Sequence, residues 1–469
     1  MSAVDTVIGA IVDARGVPME RVEASIDSLT AAGVSDVRVL ETDEGLDDVL
    51  TTDAGWTHAV WIEGGAVLLP AGLTALSGVT ARFPDTAMVY ADDWHIRRPD
   101  FSPVRLRTQD YLGAVRLFRI DAVRAVGGFR SEAAAAASFD LALRLTAAGA
   151  KVVHSPEIIY RNDLPRRPDS GASVAAVERH LIELGIRGSV HAADAGILKI
   201  EYEIDGDPLI SIVIPTRGSS ATIAGRERVL VASAIRSILE RTTRTNLEFV
   251  VVADDETPQT VVDELQEVAG EALRLVRWSG AFSFAGKMNR GAVFARGEYL
   301  LLLNDDVEVA TPGWLDAMLG LAQQPGVGLV GCLLFFEDGS IQHGGHLYRD
   351  GAAGHIAFKW PSEWNDPLGS LSVEREVSGV TAACALMRAD AFWDVGGFST
   401  LFPSNYNDVD LCMKLRATGH SILWTPKARL YHFESKTRVA TVAPAESSAL
   451  ERRWNDRMQR DGYWPDYLS

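Results

Sequence analysis

Between residues 209 and 303 four short aliphatic runs, 209–214, 249–253, 273–276 and 299–303, alternate with stretches of helical periodicity, and two of the runs break off in acid. Asp254-Asp255 follows the second run and Asn304-Asp305-Asp306 the fourth. Apolar runs without polar alternation read as strands covered on both faces. After the first, Val231, Ala234, Ile235, Ile238 and Leu239 fall at i, i+3, i+4, i+7 and i+8, the stripe of a helix lying on a sheet. A second helical stretch covers 261–268. Strand and helix in alternation imply an α/β sandwich, mostly parallel, in which ligands bind beyond the carboxyl ends of the strands. Both acidic clusters fall at that edge.

The chain has 469 residues, enough for more than one domain, and it repeats itself. Val126-Gly127-Gly128-Phe129 recurs as Val395-Gly396-Gly397-Phe398. Asp140-Leu141 with Leu145 and Gly149 recurs as Asp410-Leu411 with Leu415 and Gly419. The expected organisation is therefore a first α/β domain over 1–162, a breaker-rich connector over 163–207 containing one helix near 173–185, and a second domain over 208–469. With 63 acidic against 45 Lys and Arg residues the formal charge is −18, which argues against nucleic acid as a partner. No run of ~20 apolar residues spans a bilayer, and no basic-then-apolar leader is recognisable at the N-terminus. Cys332, Cys384 and Cys412 are odd in number and far apart, as expected of buried thiols in a reducing compartment. Together these point to a cytoplasmic protein.

The chemistry-bearing residues cluster at few places. Asn304-Asp305-Asp306 is by itself equally a polar turn or a D-x-D-like cation site, in which carboxylates hold Mg²⁺ or Mn²⁺ against a diphosphate. Asn407-Asp408-Val409-Asp410 opens a helix. Its acids are dipole partners, or Asp408 is a general base kept ionised by the helix N-terminus. His432 as a ligand favours Mn²⁺ over Mg²⁺, since imidazole suits the softer ion. Pro215-Thr216-Arg217 and Asp254-Asp255 sit at neighbouring strand ends, in place to hold a pyrimidine base. Lys287, Asn289 and Arg290 add cationic and polar contacts for a diphosphate. The stretch Gln342-His343-Gly344-Gly345-His346, with His355, lacks zinc-ligand spacing and reads as an acceptor-side loop, with Trp360, Trp364 and Trp314 as sugar-stacking or core residues.

In order, Ser211-Ile212-Val213-Ile214-Pro215-Thr216, Phe282-x-Phe284 with Asn289-Arg290-Gly291-Ala292, Leu303-Asn304-Asp305-Asp306-Val307, Trp314-Leu315, Val327-Gly328, Gln342-His343-Gly344-Gly345, Gly396-Gly397-Phe398, Asn407-Asp408-Val409-Asp410-Leu411-Cys412 and His432-x-Glu434-Ser435 resemble the landmarks of inverting family 2 glycosyltransferases of the GT-A fold. The nearest branch is the bacterial polysaccharide one that includes rhamnosyltransferases. The resemblance implies a Rossmann-like GT-A domain, mostly parallel sheet between helices. It implies a metal held by Asp306 with Asp305 and His432, Asn304 near ribose and metal, and Asp408 as base. The donor is a nucleotide-diphosphate sugar, dTDP-rhamnose or a UDP-sugar. The acceptor is a glycan or lipid-linked glycan, approached by His343, Gly344, Trp360 and Asn407. It is compatible with peripheral association at the inner face of the cell membrane and with a homo-oligomer. Asn407 departs from the acidic residue usual before the base.

The N-terminal half is similar to the same family through Tyr90-Ala91-Asp92-Asp93, Asp110-Tyr111-Leu112-Gly113 and the Val-Gly-Gly-Phe motif. In the expected alignment Gly64 or Gly65 stands for Asp306, Ser138 for Asp408 and Asn162 for His432, so this second GT-A-like copy is expected to scaffold and not to catalyse. Two other functions fit parts of the pattern: a non-catalytic carbohydrate-binding partner of another transferase, and a nucleotidyltransferase. The latter wants a Gly-rich basic loop after the first strand, which Thr216-Arg217-Gly218-Ser219-Ser220 supplies poorly.

Overall fold

A computed structural model of the chain describes residues 6–46, 49, 55–165, 168–433 and 442–465. The chain divides into two compact units, one running to Glu201 together with Pro367–Val373, the other comprising Tyr202–Asp366 and the chain from Glu374.

In the second unit the strands lie in the order Leu273–Trp278, Leu247–Asp254, Ile210–Thr216, Tyr299–Leu303, Cys384–Arg388, Val327–Phe335, Ser421–His432, Val307–Val309. The first four are parallel; Cys384–Arg388 enters antiparallel to both its neighbours. Every residue of Tyr299–Leu303 is buried, as double coverage of a central strand requires. Helix Leu230–Arg241 buries Val231, Ala234, Ile235 and Ile238 while Leu239 stays exposed, and helix Gln259–Ala269 buries Val261 and Leu265. The α/β class expected from the alternating pattern is the observed one. The polar stretch 216–228 contains a hairpin, Ser220–Ile223 against Arg226–Val229. Its two-residue turn sets Ala224 and Gly225 at φ +49° and +77°, both left-handed, as a tight hairpin of matching twist demands.

The first unit carries a sheet ordered Val37–Leu40, Ile8–Asp13, His58–Glu63, Val115–Arg119, Thr86–Asp93, Lys151–Arg161, Val67–Leu68. Strand for strand, its directions match those of the second sheet from Leu247–Asp254 onward. The repeated motifs build one device in both units. Arg144, paired with Asp140 one turn earlier, donates to the carbonyls of Val126 and Gly128. Lys414, one turn after Asp410, donates to those of Val395 and Gly397. The aspartate holds the cation, and the cation clamps the Val-Gly-Gly turn to the helix. This explains why Asp140 and Asp410 recur.

Sheet register also revises the expected equivalences. Val67 pairs with Arg161 where Val307 pairs with His432, so Arg161, not Asn162, occupies the histidine position. Counted from the flanking strands, Asp306 corresponds to Gly65 or Ala66. The stretch expected as a connector holds helix Ser170–Glu183, capped by Asp169 onto the Ala172 N–H, and the strands Gly188–Ala192 and Leu198–Tyr202; by its contacts it belongs to the first unit as far as Glu201. All three cysteines are buried and free. No helix among the described residues is long and apolar enough to cross a membrane.

Candidate active site

Strand Tyr299–Leu303 delivers Asn304-Asp305-Asp306 to the carboxyl edge of the sheet, and the chain turns at once into Val307–Val309. That short strand pairs antiparallel with the end of Ser421–His432, placing Val307 opposite His432. Residues 126 positions apart thereby meet: His432 Nε2 lies 3.1 Å from Asp306 Oδ1 and 3.0 Å from Asn304 Nδ2. On the other side of the ring, Nδ1 is 2.7 Å from Gln342 Oε1, while the Gln342 amide N–H reaches the His432 carbonyl. Gln342 Oε1 can only accept, so Nδ1 carries the proton and Nε2 turns its lone pair toward the Asp306 carboxylate. That lone pair accepts the Asn304 N–H here, and a cation placed between Nε2 and Asp306 would take it over.

Asp305 points elsewhere. Its Oδ2 accepts the Thr216 hydroxyl at 2.6 Å, and Thr216 Oγ1 in turn accepts from the Gly218 N–H. Burial and the adjacent charge of Asp306 push the Asp305 carboxyl up to about 7. Burial also works against Asp306, but where His432 takes up a second proton its charge and hydrogen bond outweigh burial and hold that carboxyl below the usual range. Two crowded carboxylates of which one resists ionisation form a site short of positive charge. Among the described residues no three His, Cys, Asp or Glu side chains converge as a cage. The expected trio of Asp305, Asp306 and His432 is thus reduced to a pair, and Asp305 becomes the residue that fastens the Thr216 loop. A pair with open positions suits Mg²⁺ or Mn²⁺, which keep water and phosphate oxygens as further ligands.

Asp408 faces this pair across a cavity of about 380 Å³ lined by Thr216, Arg217, Asn304, Asp306, Asp408 and His432, with Pro215, Asp305, Lys287 and Asn407 also in its wall. It occupies the first turn of helix Asn407–Ala417, after Tyr406 at φ +58°. Val409 N–H donates to its Oδ1 at 2.8 Å, and Ala382 N–H approaches Oδ2 at 3.4 Å.

Of the remaining expected site residues, Lys287 borders the cavity, and Asp254, Asp255, Asn289, Arg290, His343, Gly344 and Trp360 do not. Lys287, buried although it borders the cavity, donates from Nζ to the Thr216 carbonyl at 2.9 Å and pairs with Asp254 Oδ1 at 2.6 Å. Asp254 is thus engaged with Lys287, and Asp255 is exposed beyond the strand. Asn289 spends both ends of its amide on the backbone of Phe398, and Arg290 lies over the Phe294 ring. These contacts stiffen the scaffold, and neither side chain borders the cavity. Of the expected acceptor residues, His343 is buried against His355, with Nδ1 atoms 2.7 Å apart, and its Nε2 accepts from the Thr381 N–H. The Gly344 carbonyl accepts from Arg375, and Trp360 packs on Trp364 and Trp464. His343, Gly344 and Trp360 support the wall; His346, His355 and Thr381 form it. Trp314 is core. Sequence reasoning missed Thr381, Ala382 and Ala383, whose small-residue run ahead of strand Cys384–Arg388 was the available signal. Glu434 and Ser435 lie outside the described residues.

Residues 211–396 match the profile of the family described as Glycosyl transferase family 2. An uncharacterized protein, y4gI, of Sinorhizobium fredii is 31% identical over 84% of this chain and 45% of its own length. The O-antigen biosynthesis protein RfbC of Myxococcus xanthus is 30% identical over 81% of this chain and 32% of its own. An N-acetylglucosaminyl-diphospho-decaprenol L-rhamnosyltransferase of Mycobacterium tuberculosis is 29% identical over 29% of this chain and 48% of its own. The chain therefore spans less than half the length of these curated relatives. Among solved structures, GalNAc-T7 with UDP, GalNAc and Mn²⁺ aligns at TM-score 0.44 and 12% identity, over 57% of this chain and 52% of that one.

Proposed function

We propose, from the family 2 glycosyltransferase domain that residues 211–396 form, that this chain moves a sugar from a nucleoside-diphosphate donor to a hydroxyl of a glycan or lipid-linked glycan, with inversion, in bacterial surface polysaccharide synthesis. The observation that carries the reading is the opposition of Asp306 and His432 to Asp408 across one cavity. Asp306 and His432 Nε2 would hold the divalent ion, with Gln342 orienting the imidazole through Nδ1; Mn²⁺ suits that mixed set better than Mg²⁺. The ion, when bound, supplies positive charge where the diphosphate departs.

Asp408 accepts the proton of the acceptor hydroxyl as its oxygen bonds to the anomeric carbon and the carbon–phosphate-oxygen bond breaks toward the diphosphate. One carboxylate and no second nucleophile give a single displacement. Thr216, fastened by Asp305 and by Lys287, and Arg217, whose guanidinium lies 4.6 Å from the Phe282 ring centroid, are the donor-side wall. The donor in this reading is dTDP-rhamnose or a UDP-sugar, and the relative named as an L-rhamnosyltransferase supports rhamnose as the sugar moved. The first unit, with Gly65 or Ala66, Ser138 and Arg161 at the key positions, lacks ligand and base, and is a non-catalytic scaffold for the acceptor or for another protein.

The test is Asp408→Asn with a panel of UDP- and dTDP-sugars and Mn²⁺. A general base contributes on the order of 10²–10⁴ in rate, so turnover should drop by that factor while nucleotide-sugar binding by titration calorimetry is kept. Unchanged turnover removes Asp408 from this role, and no turnover by the wild type with any donor leaves the scaffold reading.

A further inference from the structure

The stretch after the Gln-His-Gly-Gly motif returns toward Asp408. Strand His346–Arg349 opens with a buried histidine whose Nε2 is 3.7 Å from Asp408 Oδ2 and whose Nδ1 is 3.1 Å from the Tyr348 hydroxyl. The ring is held from three directions. His346 N–H donates to the Gly379 carbonyl at 2.7 Å. Tyr348, itself buried, is anchored through its N–H to Asp461 Oδ2. Gly379 leaves the space the pair occupies, since a Cβ there would collide with both the Tyr348 hydroxyl and His346 Nδ1.

The geometry selects one tautomer. With the Tyr348 O–H donating to Nδ1, the His346 proton sits on Nε2 and points at the carboxylate; the opposite tautomer would set a bare lone pair against it. At 3.7 Å the approach is a charge–dipole contact and not yet a hydrogen bond, of the kind that shortens when substrate closes the site. Asp408 Oδ1 is engaged by its own helix through Val409 at 2.8 Å, whereas the Ala382 N–H reaches Oδ2 at 3.4 Å, a long contact that leaves His346 room to fix the direction of that oxygen.

We propose that His346 is the positioning residue for Asp408: kept as the Nε2–H tautomer by Tyr348, it orients the carboxylate toward the acceptor hydroxyl. The inference rests on Asp408 being the base. It assigns to His346 and Tyr348 an effect on turnover that does not pass through the donor.

The test compares full-length His346→Phe, which keeps ring volume without the N–H, His346→Gln, which restores a donor near the ε position, Tyr348→Phe and Asp408→Asn. The readout is nucleotide release from dTDP-L-rhamnose and UDP-sugars in Mn²⁺, with water as acceptor. His346→Phe should lower kcat about 10- to 100-fold with donor KM within twofold, His346→Gln should recover most of that loss, and Tyr348→Phe should lower kcat severalfold. A His346→Phe kcat within twofold of wild type, or a Gln variant as slow as the Phe variant, overturns the proposal. If His346→Phe fails to fold, Tyr348→Phe decides, an unchanged kcat overturning it. An active Asp408→Asn overturns the base reading instead, whereas an inactive Asp408→Asn beside a fully active His346→Phe overturns only this inference. Independently of turnover, nitrogen-15 imidazole spectra should show the resonance lost in His346→Gln as an Nε2–H tautomer; an Nδ1–H tautomer overturns the proposal.

Discussion

Lys287 offers the sharpest test of how the donor-side wall is built. Its side chain is only about 1% exposed, and its ammonium joins two strand ends, donating to the Thr216 carbonyl and pairing with Asp254. Lys287→Met keeps the length of the chain and removes the charge. Breaking a buried pair from one side costs ~3–5 kcal/mol, because the remaining charge is left without compensation. Asp254 is about one-fifth exposed and regains water, so the low end of that range applies, about 3 kcal/mol. At ~2–4 °C per kcal/mol for a unit of this size, the melting temperature of the second unit should fall by roughly 6–12 °C. Nucleotide affinity should fall with it, as Thr216 and Arg217 lose their support. Differential scanning fluorimetry on Lys287→Met, Asp254→Asn and the double variant measures this, and the double variant should cost clearly less than the sum of the singles. A Lys287→Met protein that melts within a degree of wild type yet loses nucleotide affinity refutes the reasoning, because Lys287 would then be a direct phosphate contact.

Other outcomes follow from the same geometry. Mn²⁺ should raise the melting temperature of the wild type and of Asp305→Asn but not of Asp306→Asn or His432→Ala; loss of the shift in Asp305→Asn would restore Asp305 as a ligand. His180, buried in helix Ser170–Glu183, is pushed down to about 3 by burial and then by the charge of Arg107. The unfolded chain therefore takes up this proton first: the contribution is complete above pH ~6.5 and is lost on acidification toward pH 3, at about 1.4 kcal/mol per pH unit within that window. His180→Leu should flatten the fall in melting temperature of the first unit between pH 7 and 5, and an unaltered slope would discount His180. Lys414→Met should cost about 2–3 kcal/mol by unclamping the Val395 and Gly397 carbonyls, with Arg144→Met doing the same in the first unit, both read by urea denaturation.

The strands between residues 209 and 303 were legible because burial on both faces leaves an unbroken aliphatic signature, and Tyr299–Leu303 has the bounds its apolar run suggests. The hairpin in 216–228 was not legible: its turn places an alanine, not only a glycine, in the left-handed region, and its strands are polar and largely exposed. Asn289 and Arg290 carry the right chemistry at the right place in the chain, but helix Phe284–Phe294 turns one into the Phe398 loop and the other onto Phe294. Residue type alone does not tell which side of a helix meets a cavity and which meets a neighbouring loop. His346 was visible as one histidine among several; only the return of its strand toward Asp408 distinguishes it.

Local composition and periodicity determined the α/β class, the internal repeat and the acidic strand ends, because each is a property of contiguous residues under steric and hydrophobic constraint. Tertiary structure alone decided that His432 joins Asp306 while Asp305 turns away, and that Lys287 is a buried strut. It also decided that Arg161 stands where the second unit has its histidine. Those outcomes depend on strand register between segments far apart in the chain, where a shift of one residue moves every side chain to the other face.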